Sequence, residues 1–152
     1  MDYIRNFKEI YEGEAWLGES YMEKLADVSE KEAFTPPMKG VHTMAELIAH
    51  VIYWRSPIIK KLSGETSWVG LMDSPDNWPS LDQLKSKGWK KLLADFERSQ
   101  NEITRLLPKI DSKFLEEEYK PGVSWKVLIE GVVQHDIYHL GQLALVKKMI
   151  RM

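Results

Sequence analysis

Two histidines near the end of the chain have a spacing that suits metal binding. His135 and His139 are four residues apart in a segment whose apolar residues follow a helical pattern. Side chains at that spacing leave the same face of a helix, one turn apart, so both imidazoles can reach one ion. The spacing also arises by chance, and a metal site therefore needs a third ligand.

His50 is the candidate for that third ligand. Leu47 lies three residues before it and Trp54 four residues after it, which places His50 at the edge of the apolar face of its own predicted helix. The remaining histidine, His42, precedes a helix-capping residue and is expected to point towards solvent. Three neutral imidazoles from two helices leave coordination positions open, which is typical of a catalytic rather than a structural metal site.

A role in the hydrophobic core is the alternative for each of these histidines. A buried histidine is more often a hydrogen-bonded core residue than a metal ligand. Three imidazoles without a metal would need partners for six ring nitrogens, and each missing partner costs free energy. The three together therefore favour a metal site, whereas each one alone favours the core.

Residues around the histidines could support the site or line a pocket. Asp136, Tyr138 and Gln142 flank the histidine pair, where they orient an imidazole, contact a substrate or pack between helices. Glu14 interrupts the apolar stripe of the first predicted helix, either as a supporting carboxylate or general base or as a surface residue. Gly131 indicates room for a ligand or close helix packing. Three tryptophans could wall a pocket mouth: Trp54, Trp68 and Trp78.

Four amphipathic segments must position these residues. Each has apolar residues at a period near 3.6, and no segment of comparable length alternates as a strand would. They run from about Asp2 to Ala26, from a capping box at Thr43 to Leu62, from a capping box at Ser80 to Leu106, and from Ser124 to Val146. They predict an all-α four-helix bundle, in a single domain over residues 1–152. The long loop between the second and third helices, Ser63–Pro79, is expected to be functional.

Composition and charge exclude several classes of function. The chain has 152 residues, and 21 Lys and Arg against 23 Asp and Glu give a net charge of −2, so no broad cationic field exists to bind nucleic acid. Cysteine is absent, which excludes disulfides, thiolate ligands and a cysteine nucleophile. The longest apolar runs have four residues, too few to span a membrane, and the N-terminus lacks a signal-peptide pattern. A cytoplasmic protein is therefore expected.

Two stretches of the chain carry a family resemblance. The sequence HTMAELIAHVIYW at residues 42–54 and the sequence GVVQHDIYHLGQ at residues 131–142 resemble the DinB-like (YfiT-like) family of small bacterial four-helix proteins. The resemblance covers essentially the whole chain. It implies a bundle of up-down-down-up topology, a homodimer, and a divalent metal held by one histidine of the second helix and the histidine pair of the fourth. Those ligands fall on His50, His135 and His139.

The resemblance also indicates a class of reaction. Relatives in the superfamily include metal-dependent transferases and isomerases that use a low-molecular-weight thiol such as bacillithiol or mycothiol. We therefore expect a divalent metal, zinc or nickel before iron or manganese, and a transferase that conjugates such a thiol to a small electrophile. Two alternatives stay open. One is a metal-dependent hydrolase that acts through bound hydroxide, and the other is a metal-binding or stress-response interaction module without catalysis.

Overall fold

The structure is a computed structural model that describes residues 2–65 and 71–152. The described residues confirm the all-α class: they form eight α-helices and one short two-stranded hairpin. The helices are α1 (Tyr3–Tyr11), α2 (Tyr21–Leu25), α3 (Glu30–Ala33), α4 (Met44–Leu62), α5 (Leu81–Lys87), α6 (Trp89–Leu106), α7 (Ser112–Glu116) and α8 (Trp125–Ile150). A 3-10 turn, Leu107–Lys109, follows α6, and the strands are β1 (Glu118–Lys120) and β2 (Val123–Ser124).

The helices α4 and α8 carry the three candidate ligands and pack against each other. The start of α4 is the predicted capping box, in which the Thr43 hydroxyl accepts from the Glu46 amide while the Glu46 carboxylate accepts from the Thr43 amide. Ser124 caps α8 through the amide of Val127, also as predicted. Because capping residues fix where both helices begin, they fix the register of the histidines along each helix.

The remaining helices close the core around this pair. Both α4 and α1 pack against α6 and against α8, so each of the four has at least two neighbours. Apolar side chains from these four helices and α2 fill the centre and have no exposed surface: Phe7, Tyr21, Ile48, Ile58, Phe96, Ile103, Ile129 and Leu143. Burial of side chains of this size is the main source of stability for such a fold.

The first helix is shorter than predicted, so the prediction of its length is wrong. The helix α1 ends at Tyr11, and residues 12–20 form a connection in which Gly18 has a φ of 118°. Few residues other than glycine adopt that conformation, so the helix predicted over this stretch cannot continue through Gly18. A capping box formed by Ser20 and Glu23 then starts α2 as a new helix. The apolar stripe of the prediction survives in part, since Phe7 and Tyr21 are both buried although they lie in different helices.

The third predicted helix is also interrupted, and a hairpin was not predicted. Gly88 has a φ of 86°, which ends α5 and separates it from α6. Residues 111–122, between the third and fourth predicted helices, contain α7 and β1. The strand β1 pairs with β2 in an antiparallel manner across Gly122, which has a φ of 75°. Within the described residues, no helix is both long enough and apolar enough to cross a membrane.

Candidate metal centre

The structure brings the three predicted ligands together. One ring nitrogen from each of His50, His135 and His139 lies within 4.8 Å of the other two, so the three could hold a metal ion. The closest pair, Nε2 of His50 and Nε2 of His135, is 3.1 Å apart. Zinc–nitrogen bonds of 2.0–2.1 Å at tetrahedral angles place two ligand nitrogens about 3.3 Å apart. The spacing of the histidines therefore fits a single metal ion.

In two of the imidazoles, the Nδ1 atom makes a hydrogen bond to a neighbouring protein group. Nδ1 of His50 donates to the backbone carbonyl of Asn77 at 3.0 Å, and Nδ1 of His139 donates to Oε1 of Gln142 at 2.6 Å. Because both partners are acceptors, the proton of each neutral ring sits on Nδ1 and the lone pair sits on Nε2. A hydrogen bond of this kind on the far nitrogen is the usual support of a metal-ligating histidine.

Burial keeps two of the imidazoles neutral. His50 and His139 expose 6% and 5% of their surface. Burial is the largest cause that lowers the pKa of both rings to about 4, and the neighbouring His135 lowers it further. Both rings are therefore unprotonated at neutral pH, which is the state that binds a metal.

A cavity of about 510 Å³ opens onto the three histidines. Its other lining residues are His42, Trp54, Met72, Trp78, Tyr138 and Gln142. Met72 and Tyr138 are exposed at the rim, and the ring of Trp54 is edge-on to His50 at 6.4 Å and to His135 at 6.1 Å. Among the described residues, no Lys, Arg, Asp or Glu lines this cavity. The cavity is therefore apolar apart from the imidazoles, the Tyr138 hydroxyl and the Gln142 amide.

Trp78 lies between two histidines. Its ring is stacked on His50 at 3.8 Å and 11°, and on His42 at 3.8 Å and 6°. Two rings can lie parallel to the same indole at that distance only on its opposite faces. His42 is exposed, as predicted, but it packs on Trp78 rather than pointing freely into water, and its Nδ1 lies 3.3 Å from Oε1 of Glu46. The stack fixes the orientation of His50 from the side that faces the loop.

A fully buried ion pair lies beside the site, and sequence reasoning missed half of it. Nε of Arg55 donates to Oδ2 of Asp136 at 2.9 Å, and Nη1 of Arg55 donates to the hydroxyl of Ser99 at 3.1 Å. Neither Arg55 nor Asp136 has any exposed side-chain surface. The burial of Arg55 could have been predicted from its position. It lies four residues after Val51 and three before Ile58, on the apolar face of the predicted helix.

The other predicted site residues divide into two groups. Trp54, Tyr138 and Gln142 line the cavity, and Asp136 lies directly behind His135. Glu14 is exposed in the connection after α1, and it does not line the cavity.

Gly131 is exposed on the outer side of α8. A Cβ atom added there would meet nothing within 4 Å, so this glycine neither lines the cavity nor allows close packing within the chain. Trp68 lies outside the described residues.

The fold and the site together define an all-helical protein with a candidate three-histidine metal centre. The family model of the DinB superfamily matches residues 17–143, which is most of the chain and includes all three histidines. The chain therefore belongs to the DinB superfamily. No curated protein and no solved structure is significantly similar to it.

Proposed function

We propose that this protein binds one divalent metal ion on His50, His135 and His139 and uses the open side of that ion for catalysis. The observation that carries the proposal is the convergence of three histidine nitrogens within 4.8 Å at the base of an open cavity. No further Asp, Glu or His among the described residues belongs to this cluster, so a water molecule or a substrate can complete the coordination. Imidazole ligands favour zinc or nickel, with iron and manganese as the alternatives.

The reaction that we propose is the conjugation of a low-molecular-weight thiol, such as bacillithiol, to a small electrophile. A divalent cation held by the three imidazoles would keep the thiol in its thiolate form, which is the nucleophile. The chain has no cysteine of its own, so the sulfur must come from a cofactor. Trp54, Met72 and Tyr138 offer apolar surface to the electrophile, and a lining without Lys or Arg favours an uncharged one.

The helices α1, α4, α6 and α8 are proposed to form the four-helix bundle of this family, in up-down-down-up order and in one domain. Their mutual contacts support this arrangement. We also propose a homodimer, because the outer side of α8 exposes several apolar residues that a second copy could cover: Val127, Ile137 and Leu145. The partner for catalysis is a small molecule rather than a nucleic acid.

The metal site is tested by elemental analysis of the purified, untagged protein beside two variants. His139→Ala removes a proposed ligand, while His42→Ala removes the one histidine outside the cluster and serves as the matched control. We expect near-stoichiometric metal in the parent and in His42→Ala, and its loss from His139→Ala, with the helical circular dichroism spectrum kept in all three. A parent that stays empty after dialysis against zinc, nickel and manganese would contradict the proposal.

The reaction is tested on the metal-loaded protein with two chromogenic substrates. Chlorodinitrobenzene with bacillithiol reports conjugation, and nitrophenyl acetate without thiol reports hydrolysis. Turnover that needs both thiol and metal supports the transferase. Metal-dependent turnover without thiol identifies a hydrolase instead, and a loaded protein that turns over neither substrate indicates the non-catalytic module.

A further inference from the structure

We infer that Asp136, locked in place by Arg55, is a positioning residue that aims His135 at the metal. The inference rests on the proposed function, and it adds to it the buried contact with Arg55 that fixes Asp136. Asp136 acts through His135 and does not itself touch substrate or metal.

The three imidazoles are not supported equally by hydrogen bonds. His50 and His139 each donate an Nδ1–H hydrogen bond to a protein acceptor. Nδ1 of His135 is buried and has no partner, and so is Oδ1 of Asp136. These two unpartnered atoms lie 3.9 Å apart.

Their chemistry is complementary. A buried polar atom without a partner is costly, and two such atoms that face each other remove the cost by forming one bond. A shift of about 1 Å brings Nδ1 and Oδ1 to ordinary hydrogen-bond distance. When Nε2 of His135 carries a metal, its Nδ1 carries the proton and needs an acceptor at this position.

Arg55 holds the carboxylate of Asp136 through only one of its two oxygens. Nε of Arg55 donates to Oδ2 of Asp136, and Nη2 lies 2.8 Å from the same oxygen as a close ionic contact. Both guanidinium contacts use Oδ2, so Oδ1 is left over and faces His135.

Packing prevents the pair from turning away. The guanidinium carbon of Arg55 lies 4.6 Å from the centre of the Phe96 ring, and the arginine also donates to Ser99. The hydroxyl of Tyr21 donates to the backbone carbonyl of Asp136 at 2.8 Å, which holds the main chain of α8 at that turn. The carboxylate is thus fixed by three helices before any metal arrives.

The charge of the pair fits the same role. Arg55 neutralises Asp136 inside the core, so the carboxylate accepts a proton donor without adding net negative charge beside the metal. A free carboxylate at this depth would itself compete as a metal ligand. The ion pair instead keeps the Asp136 carboxylate available as a hydrogen-bond acceptor for His135.

The test compares two double variants that differ only in the acceptor. Arg55→Met/Asp136→Leu and Arg55→Met/Asp136→Asn both remove the buried charges, and replacing a buried pair by uncharged residues of similar size is tolerated by many folds. Only the asparagine keeps an oxygen that can accept from Nδ1 of His135. Zinc affinity is measured by competition with a chromophoric chelator, and folding by circular dichroism.

We expect the leucine variant to bind zinc about 10- to 100-fold more weakly than the parent. The asparagine variant keeps the acceptor but lacks Arg55 to hold it, so its zinc affinity should lie between those of the leucine variant and the parent. Equal zinc affinity in the two folded variants would overturn the inference and leave the proposed function intact. A parent that binds none of zinc, nickel and manganese would overturn both, and a parent that binds only nickel or manganese is titrated with that metal instead.

A second measurement decides the case in which a double variant does not fold. The ¹⁵N spectrum of the zinc-loaded parent shows whether the Nδ1 proton of His135 is held in a hydrogen bond. A slowly exchanging proton, shifted as in a bond to carboxylate, supports the inference. A proton that exchanges rapidly with water overturns it.

Discussion

The helix α8 takes part in two groups of opposite charges, one buried and one exposed to solvent. Near its middle, Asp136 pairs with Arg55, and both side chains are fully buried. At its C-terminal end, Lys147 and Arg151 pair with Asp27, whose side chain is 63% exposed. The first group lies behind a candidate metal ligand, whereas the second fastens the end of the helix to the segment after α2.

The difference shows which charged side chains of this fold must be held in one orientation. A buried pair is expensive to form and much more expensive to break, because either partner left alone is an unpaired charge in a medium of low dielectric. An exposed pair is screened by water and salt and adjusts to small movements. The rigid, buried ion pair thus lies where the direction of an imidazole matters. The exposed ion pairs, which can adjust, lie where the end of a helix only has to be held against its neighbour.

The largest expected effect comes from breaking the buried group on one side only. Arg55→Met leaves Asp136 buried without its partner, and we expect the free energy of unfolding to fall by about 3–5 kcal/mol. Urea unfolding followed by circular dichroism measures the change. Arg151→Met in the exposed group is the control, and it should lower the stability several-fold less. Similar losses in the two variants would contradict the comparison.

Metal loading is the next largest effect. At a free zinc concentration 100 times the dissociation constant, binding to the folded state alone adds about 2.7 kcal/mol of stability. We expect calorimetry to show a raised melting temperature in the parent and the same rise in Arg151→Met. His139→Ala should show no rise. A zinc-dependent rise in that variant would indicate that the metal binds elsewhere.

Acid should separate the histidine cluster from the exposed charge group at the end of α8, because the two titrate in different pH windows. The pKa of His50 and of His139 is about 4 in the folded protein against 6.5 in an exposed ring, so the unfolded state binds more protons between these values. The stability of the metal-free protein should therefore fall as the pH is lowered from about 6.5 to about 4.

The exposed group should act in the lower window. Hydrogen bonds from Lys147 and Arg151 lower the pKa of Asp27 from 3.8 to about 2, and hydrogen bonds from Arg151 and Ser29 lower the pKa of Glu32 from 4.5 to about 2. Their contribution is present above about pH 4.5 and is lost as the pH falls towards 2. Urea midpoints measured across this range give the profile. Glu32→Gln should flatten only the lower window, and a change in the upper window would contradict the assignment.

The smallest expected effect is the salt dependence of the exposed group. Asp27→Asn removes the partner of Lys147 and Arg151 and should lower the melting temperature slightly at low ionic strength. The difference from the parent should vanish in molar salt, where the screening length is about 3 Å. Thermal melts at two salt concentrations measure it. A difference that persists in molar salt would show that Asp27 matters through packing rather than charge.

Much of the site was predictable because its parts are local. The capping residues Thr43 and Ser124 set where α4 and α8 begin, and the spacing of His135 and His139 within one helix needs no knowledge of the fold. His50 could be chosen from its place on the apolar face. Side chains that depend on neighbours a few residues away are therefore accessible to sequence reasoning.

The rest depended on contacts between distant parts of the chain or on single backbone angles. Arg55 and Asp136 are 81 residues apart, and nothing in either helix alone indicates their pairing. The carbonyl of Asn77 that supports His50 belongs to a loop without periodicity. Gly18 lies in the connection after α1 and Gly88 ends α5, and the apolar pattern continues across both positions, so the pattern alone predicts helices that are too long.

The stacking of Trp78 between His42 and His50 gives the protein an intrinsic optical signal. Indole emission is sensitive to electron transfer to a neighbouring imidazole, and that transfer changes when the imidazole is protonated or coordinated. One face of Trp78 contacts a candidate ligand, while the other contacts a histidine outside the cluster. Occupancy of the metal centre should therefore be readable from the native fluorescence of the unlabelled protein, with His42→Ala separating the contributions of the two faces.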